Sequence, residues 1–293
     1  MTGRVVVGVD GSPSAAAAVA WAADDAGRRG ARLRIVHVRE PWTYDFPLKA
    51  APDSEDSVPS YWHDALAAAV AWVHGNAPGV EVSAALVTGA VAERLTTEAE
   101  DADELILGSR GLGGIAGLVL GSVGRSVAGH AAAPVVVVRG PASTCHGEVV
   151  VGYDGSETAD AAMEFGMREA GLRGALLRAV HAWPVPPFPP FAAAYAGGAQ
   201  QALAQVSRGV RDRLLSWQER HPDVPVAART VRGHPVSALA DASRTADLVV
   251  VGSRALDSGP PVLGPVGQGV LRHARSPVAV VRPRRTPDGG PST

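Results

Sequence analysis

Cysteine is nearly absent: Cys145 is the only one in 293 residues, which excludes an intrachain disulfide framework and any multi-thiolate metal site. No charge of one sign dominates either. Lys and Arg total 27 against 29 Asp and Glu, for a formal net charge of -2, so there is no basic field to hold a nucleic acid or an anionic membrane through phosphate contacts. Long apolar runs are missing as well. The most apolar helical stretch, around Ala65 to Val73, falls well short of the ~20 residues needed to cross a bilayer. Met1 to Arg4 leads directly into the apolar run Val5 to Val9, without the basic and apolar regions of a secretory signal. The expectation is a cytoplasmic protein with neither nucleic-acid nor membrane partners.

Apolar residues make up 46% of the chain and charged residues 19%, with 34 Gly and 23 Pro, a composition suited to buried strands joined by many turns. The length accommodates two domains, each with its own core. An internal repeat supports that division. Val6-Val7-Gly8-Val9-Asp10-Gly11-Ser12 recurs as Val150-Val151-Gly152-Tyr153-Asp154-Gly155-Ser156, an offset of 144 residues. The same offset carries Val36-His37-Val38 onto Val180-His181-Ala182, and Gly108-Ser109-Arg110 onto Gly252-Ser253-Arg254. It then shortens to 143, matching Pro134 to Arg139 with Pro277 to Arg282, so the second copy is one residue shorter in the loop between. The expected domains are 1–140 and 147–283, followed by a flexible tail over 284–293.

Within each copy short apolar runs alternate with longer amphipathic ones, which predicts an α/β fold. Each domain is expected to be flavodoxin-like or Rossmann-like, a five-stranded, mostly parallel sheet with helices on both faces. First-copy strands are expected near Val5 to Val9, Leu33 to Val38, Val82 to Val87, Glu104 to Leu107 and Val135 to Val138, nearly continuous apolar runs of the kind buried on both faces. Ser12 before Pro13 and Ser156 before Glu157 are helix starts, with the hydroxyl capping free amides. The short linker 140–144 predicts close domain packing. Two Pro-rich insertions, Glu40 to Ser60 and Trp183 to Gly198, read as surface lids or interface loops.

After its fourth strand the first copy reads Gly108-Ser109-Arg110-Gly111, then nine residues, then Gly121-Ser122 at a helix start. Glycines let successive backbone amides approach phosphate oxygens, and the helix N-terminus adds the positive end of its dipole. Ligands of open parallel sheets bind beyond the carboxyl ends of the strands, at a switch in strand order. Asp10 ends the first strand on that edge, where a carboxylate can accept hydrogen bonds from a ribose or an adenine amine. His37 and His181 sit at strand ends and are expected to be packed or bonded to backbone. Trp42, Trp62, Trp72 and Trp183 are expected to pack lids and helices on the core.

The pattern Gly-x2-Gly-x9-Gly-Ser, with Asp-Gly-Ser after the first strand, resembles the universal stress protein family in its tandem-domain form. The resemblance implies that Asp10 and the backbone around Val38 contact adenosine, and that Gly108, Ser109, Arg110, Gly111, Gly121 and Ser122 surround the triphosphate of an ATP bound with Mg2+. Gly8, Leu112, Gly113, Gly114 and Val123 would line the same pocket. It implies further that the fifth strand pairs across a domain or subunit interface, giving intramolecular domain pairing and a homodimer. In the second copy Gly152, Asp154, Gly252, Ser253, Arg254 and Gly264 stand at equivalent places. Ala255, Asp257 and Ser258 replace Gly111, Gly113 and Gly114 there, and Pro265 follows Gly264. A carboxylate and a missing amide both oppose phosphate, so this copy is expected to bind ATP weakly.

The resulting expectation is a non-enzymatic, ATP-binding regulator of stress or growth. A nucleotide-free dimerisation scaffold is one alternative. A slow ATP-hydrolysing enzyme of a related α/β superfamily is another, although an ATP pyrophosphatase or a dehydrogenase would carry its glycine loop after the first strand, where only Asp10-Gly11-Ser12-Pro13 stands.

Overall fold

In a computed structural model, the structure describes residues 3–40, 57–111, 121–139, 145–183, 192–253 and 263–283. The first half runs β1 (Arg4–Gly8), α1 (Pro13–Arg29), β2 (Arg32–Arg39), α2 (Ser57–Asn76), β3 (Val82–Thr88), α3 (Val91–Glu98), β4 (Glu104–Gly108), α4 (Ser122–His130) and β5 (Val135–Val138). The second repeats it as β6 (Glu148–Gly152), α5 (Glu157–Arg173), β7 (Leu176–Trp183), α6 (Ala192–Arg220), β8 (Val226–Arg232), α7 (Pro235–Ala242), β9 (Leu248–Gly252), α8 (Pro265–His273) and β10 (Val278–Val281). The predicted helix starts hold: the Ser12 and Ser156 hydroxyls accept from the amides of Ala15 and Ala159 at 3.2 and 3.3 Å. Gly30 and Gly174 close α1 and α5 in the left-handed region, where glycine avoids the Cβ penalty.

The two sheets are one. Ten strands follow the order β3-β2-β1-β4-β5-β10-β9-β6-β7-β8, parallel within each half and antiparallel only at the seam, where Val137 faces Val278 and Val135 faces Val280. Pairing of the fifth strands therefore occurs within the chain and covers the edge each half would otherwise expose. Of the two common doubly wound orders, each half adopts 3-2-1-4-5, which places the switch between β1 and β4. Alternate strand residues feed two cores that run through both halves. Val5, Val7, Ile106, Val136 and Val138 pack with α1, α2, α5 and α6, while Val6, Leu105, Leu107, Val135 and Val137 pack with α3, α4, α7 and α8.

The seam also carries a buried ion network. Asp25 and Arg29 on α1, Glu169 and Arg173 on α5, and Glu104 at the start of β4 are at most 9% exposed at their side chains. Arg29 pairs with Asp25, Glu169 and Glu104, and Arg173 pairs with Glu169 and with Asp25 at 2.9 Å. The pattern is crossed, each arginine bridging to the carboxylate of the other half.

The entry to the second half is pinned by one carboxylate. Asp247 accepts the amides of His146, Gly147 and Glu148 at 2.6, 2.8 and 3.1 Å. Asp247→Ala is expected to lower stability by about 2 kcal/mol, since several amides lose a charged acceptor at an exposed site. A urea titration measures this, and an unchanged midpoint would contradict it. Among the described residues no helix is long and apolar enough to cross a membrane.

One packing expectation fails. Trp72 is 42% exposed on α2, because its neighbour Val73, at 0%, faces the sheet. Trp62 does pack, its ring stacked on His37 at 4.3 Å, whereas Trp42 lies outside the described residues.

Candidate functional site

The switch between β1 and β4 brings the ends of those two strands side by side, with Gly8 in register with Leu107. Past β1, Gly11 takes φ +82°, a turn that favours glycine. This reverses the chain so that the Asp10 carboxylate accepts the Ser12 amide at 3.0 Å. Past β4, the Ser109 amide donates to the Val138 carbonyl at 2.9 Å and the Ser109 carbonyl accepts the Gly121 amide at 2.9 Å. That second bond holds the start of α4 against the end of β4. Asp10, Gly108 to Gly111 and Gly121 to Val123 thus gather along one edge of the sheet. Leu112, Gly113 and Gly114 lie outside the described residues.

Within that edge two glycines do different work. A Cβ on Gly111 would stand 2.6 Å from Asp10 Oδ2, so glycine there lets the loop lie against the carboxylate. A Cβ on Gly108 would stand 2.7 Å from the Ser14 carbonyl in the first turn of α1. Gly108 is thus required by the approach of α1 to β4, whatever its part toward a phosphate. Gly252 is the second-half counterpart, and its Cβ would fall against the Thr158 carbonyl of α5. A half with an altered loop keeps that glycine for the same packing reason. Gly8 and Gly152 likewise make room, for Leu95 and Leu107 and for Leu239 respectively.

Among the described residues no side chain caps the start of α4. Gly121 is its N-cap, leaving the amides of Ser122, Val123 and Gly124 without an intrahelical acceptor. Ser122 is exposed. These donors and the helix dipole suit an anion. The Gly121 amide itself is engaged by Ser109, so its contribution is to set the helix rather than to donate.

Ser14 belongs to the site although the sequence did not single it out. Its hydroxyl donates to the Arg110 carbonyl, which also receives the Ser12 hydroxyl at 3.4 Å. The turn after β1 and the loop after β4 are thereby tied together. Two small hydroxylated residues flanking Pro13 were the available signal, and Thr158 takes the same place after Ser156.

At the base end, the Val9 amide donates to the Val36 carbonyl at 2.8 Å. Val38, two residues on, presents the same edge of β2 past the end of β1. His37 is buried, with Nδ1 2.7 Å from the Val9 carbonyl. Burial pushes its imidazole below the usual range, so the ring is neutral at pH 7 with its Nδ1 proton on that carbonyl. His181 repeats the arrangement on Tyr153 at 2.9 Å. Both histidines are bonded to backbone, as expected from their strand-end positions.

The second-half edge differs. Asp154 accepts both the amide and the hydroxyl of Ser156, at 3.0 and 2.5 Å, and Arg213 of α6 covers the Gly155 carbonyl at 2.5 Å. Ser253 donates its amide to Val281 at 2.7 Å, and Gly264 caps α8 with Pro265 at the first helical position. Arg254, with Ala255, Asp257 and Ser258, lies outside the described residues.

Comparison with known proteins agrees with this construction. A family model described as the universal stress protein family matches residues 1–139 and again 147–282. A universal stress protein of Mycolicibacterium smegmatis is 32% identical over 289 residues, covering 96% of this chain and 97% of that one. One from Mycobacterium tuberculosis is 35% identical over 301 residues, covering 95% and 94%. The fold is shared with a crystal structure of a universal stress protein from Archaeoglobus fulgidus, with TM-score 0.68, 19% identity, and coverage of 95% of this chain and 96% of that one. A putative universal stress protein from Pseudomonas aeruginosa gives TM-score 0.62 at 14% identity, covering 96% and 93%. The chain belongs to the universal stress protein family, with the family's domain present once in each half.

Proposed function

We propose that the first half binds ATP, with Mg2+ carried on the triphosphate, and that the chain acts as a non-enzymatic, nucleotide-dependent regulator of a stress or growth response. The reading rests chiefly on one observation: the Asp10 carboxylate, the Gly111 backbone beside it and the uncapped amides of α4 share the carboxyl edge at the strand-order switch. That edge fits a nucleotide at both ends. Asp10 and the backbone of Val38 suit a ribose and base, and the α4 amides with the Ser122 hydroxyl suit phosphate oxygens. Regulation would follow if occupancy orders the loop after β4 and changes a partner-binding face. No catalytic residue is assigned.

The second half is proposed to bind nucleotide weakly, since Pro265 at the first helical position of α8 removes one helix amide and Ala255 and Asp257 stand where the first copy has Gly111 and Gly113. Because β10 already covers the edge of β5, a homodimer would use another surface, such as the outer strands β3 and β8. Denaturing freshly purified protein and identifying the released nucleotide by chromatography and mass tests the reading. ATP near one equivalent per chain is expected. Release of none, with no rebinding of added ATP, would favour a nucleotide-free scaffold, whose supporting observation is the continuous sheet through the seam.

A further inference from the structure

One face of the ten-stranded sheet carries α3, α4, α8 and α7. α3 packs on β2, α4 on β5, α8 on β10, and α7 on β6 and β7, so the helices lie in that order across the face with the seam in the middle. The repeat makes the two ends of this row equivalent in fold. Their surface charge is opposite. At the α3–α4 end the exposed charged residues are Glu93, Glu100 and Asp101 against Arg125, and at the α7–α8 end they are Arg244, Arg272 and Arg275 against Asp241. One end is net acidic and the other net basic by the same amount.

The inversion is made at matching positions. Arg244 stands where the first half has Glu100, and Ser237 where it has Glu93. Arg272 and Arg275 replace Gly129 and Ala132, while His130 and His273 occupy the same place in both halves. Glu98 and Asp103, also near the acidic end, are engaged within the chain, Glu98 by Arg4 and Arg34 and Asp103 by the Arg4 amide.

The basic end is also shaped to receive a partner. Between α7 and α8 lies an open groove of about 640 Å3, lined in part by His234, Val236, Ala240, Arg244, His273 and Arg275. Gly269 lets α8 lie close to α7 there, since a Cβ on it would meet Val236 at 2.5 Å. An apolar floor with cationic walls suits a helix that carries carboxylates along one side. α3 is such a helix: Glu93 and Thr97 form an exposed stripe at helical spacing, which Glu100 continues in the turn that follows.

We propose that two copies of the chain pair through this helical face, turned end for end, so that the acidic α3–α4 end of each meets the basic α7–α8 end of the other. Both ends lie on the same side of the sheet, so a single two-fold axis makes both contacts at once and closes the dimer. Like ends repel, which selects this arrangement over one that superposes equivalent halves. The proposal deepens the homodimer reading and rests on it, placing the contact on these helices rather than on the outer strands.

The test is sedimentation velocity of the full-length chain at roughly 20 and 500 mM salt. A discrete dimer is expected at low salt, with a dissociation constant about tenfold or more higher at the upper concentration. Arg272→Glu with Arg275→Glu makes both ends acidic and is expected to weaken the dimer on the order of a hundredfold. Glu93→Arg with Glu100→Arg makes both ends basic and is expected to do the same. Joining all four substitutions makes the ends opposite again and is expected to recover the dimer to near its original strength. All four side chains are exposed, so each variant is expected to melt close to its parent. A chain that stays monomeric at low salt would overturn the homodimer and this surface together. A dimer indifferent to the charge reversals, or one that either pair disrupts without recovery in the combined variant, would overturn this surface and leave the homodimer standing. Assemblies that lengthen with concentration would contradict the closed arrangement.

Discussion

Arg29→Ala is expected to lower the stability of the chain by about 3 to 5 kcal/mol, because it strips a guanidinium from carboxylates that stay buried. Arg29 touches Asp25, Glu104 and Glu169, all 0% exposed. Arg173, which also lies 5.1 Å from the Trp21 ring, would be left as the one guanidinium paired with any of them among the described residues. The network joins α1 to α5 across the seam, so the loss reaches both halves. Urea unfolding measures it, and a change below about 1 kcal/mol would contradict the account of the seam.

Three carboxyls face two guanidiniums in this network, and one proton restores neutrality. Burial pushes Glu169 upward, yet both arginines contact it. Glu104 has only Arg29, at 3.2 Å, and the adjacent Asp25 charge. Burial and that neighbour raise Glu104 well above the carboxylate range, while Glu104 and the two arginines hold Asp25 down to about 2 against its burial. Of the three carboxyls, Glu104 is thus the one pushed most toward its protonated form. A raised folded value contributes stability that is complete below the unfolded carboxylate range and is lost as pH rises through the folded value. Asp25 contributes in the opposite sense, its share being present above its unfolded value and lost as pH falls through about 2. Glu104→Gln should keep the hydrogen bond to Asp25 and flatten the alkaline loss. Leu248, the residue at the matching place in the second half, shows that the fold itself accepts an apolar side chain there. Melting curves from pH 6 to 10 on both proteins check this, and parallel curves would contradict it.

Gly111→Ala is expected to weaken ATP binding on the order of a hundredfold while leaving stability nearly unchanged. The added Cβ would stand 2.6 Å from Asp10 Oδ2, far inside van der Waals contact. Either the carboxylate turns, breaking its 3.0 Å bond to the Ser12 amide, or the loop lifts from the edge. Each outcome removes about two charge-assisted contacts to the ligand, at about 1.5 to 3 kcal/mol apiece. Gly111 is not among the glycines at positive φ, so alanine there strains no backbone. Titration calorimetry with the variant checks it, and wild-type affinity would show that Asp10 and Gly111 do not act together.

Much of this was legible in the sequence because it depends on local pattern. The Val-Val-Gly-x-Asp-Gly-Ser repeat, the buried apolar runs and the Ser-capped helices each follow from neighbours along the chain, and the structure has them where expected. The seam network did not show. Asp25 and Arg29 stand one turn apart on α1, and nothing local says that α5 will bury them. Gly108 and Gly252 have a packing reason that spacing did not reveal: the approach of the α1 and α5 starts requires a glycine at that strand end in either half, whatever its part toward a phosphate. Trp72 misled, since an aromatic on a largely apolar helix does not reveal that its neighbour Val73 takes the buried face.

The most direct test is calorimetric titration of ATP with magnesium into the nucleotide-stripped, full-length chain. About one site per chain is predicted, lost at the same concentrations in Gly111→Ala. Absence of any binding heat in the unaltered chain, or two equal sites, would contradict the assignment of nucleotide binding to the first half.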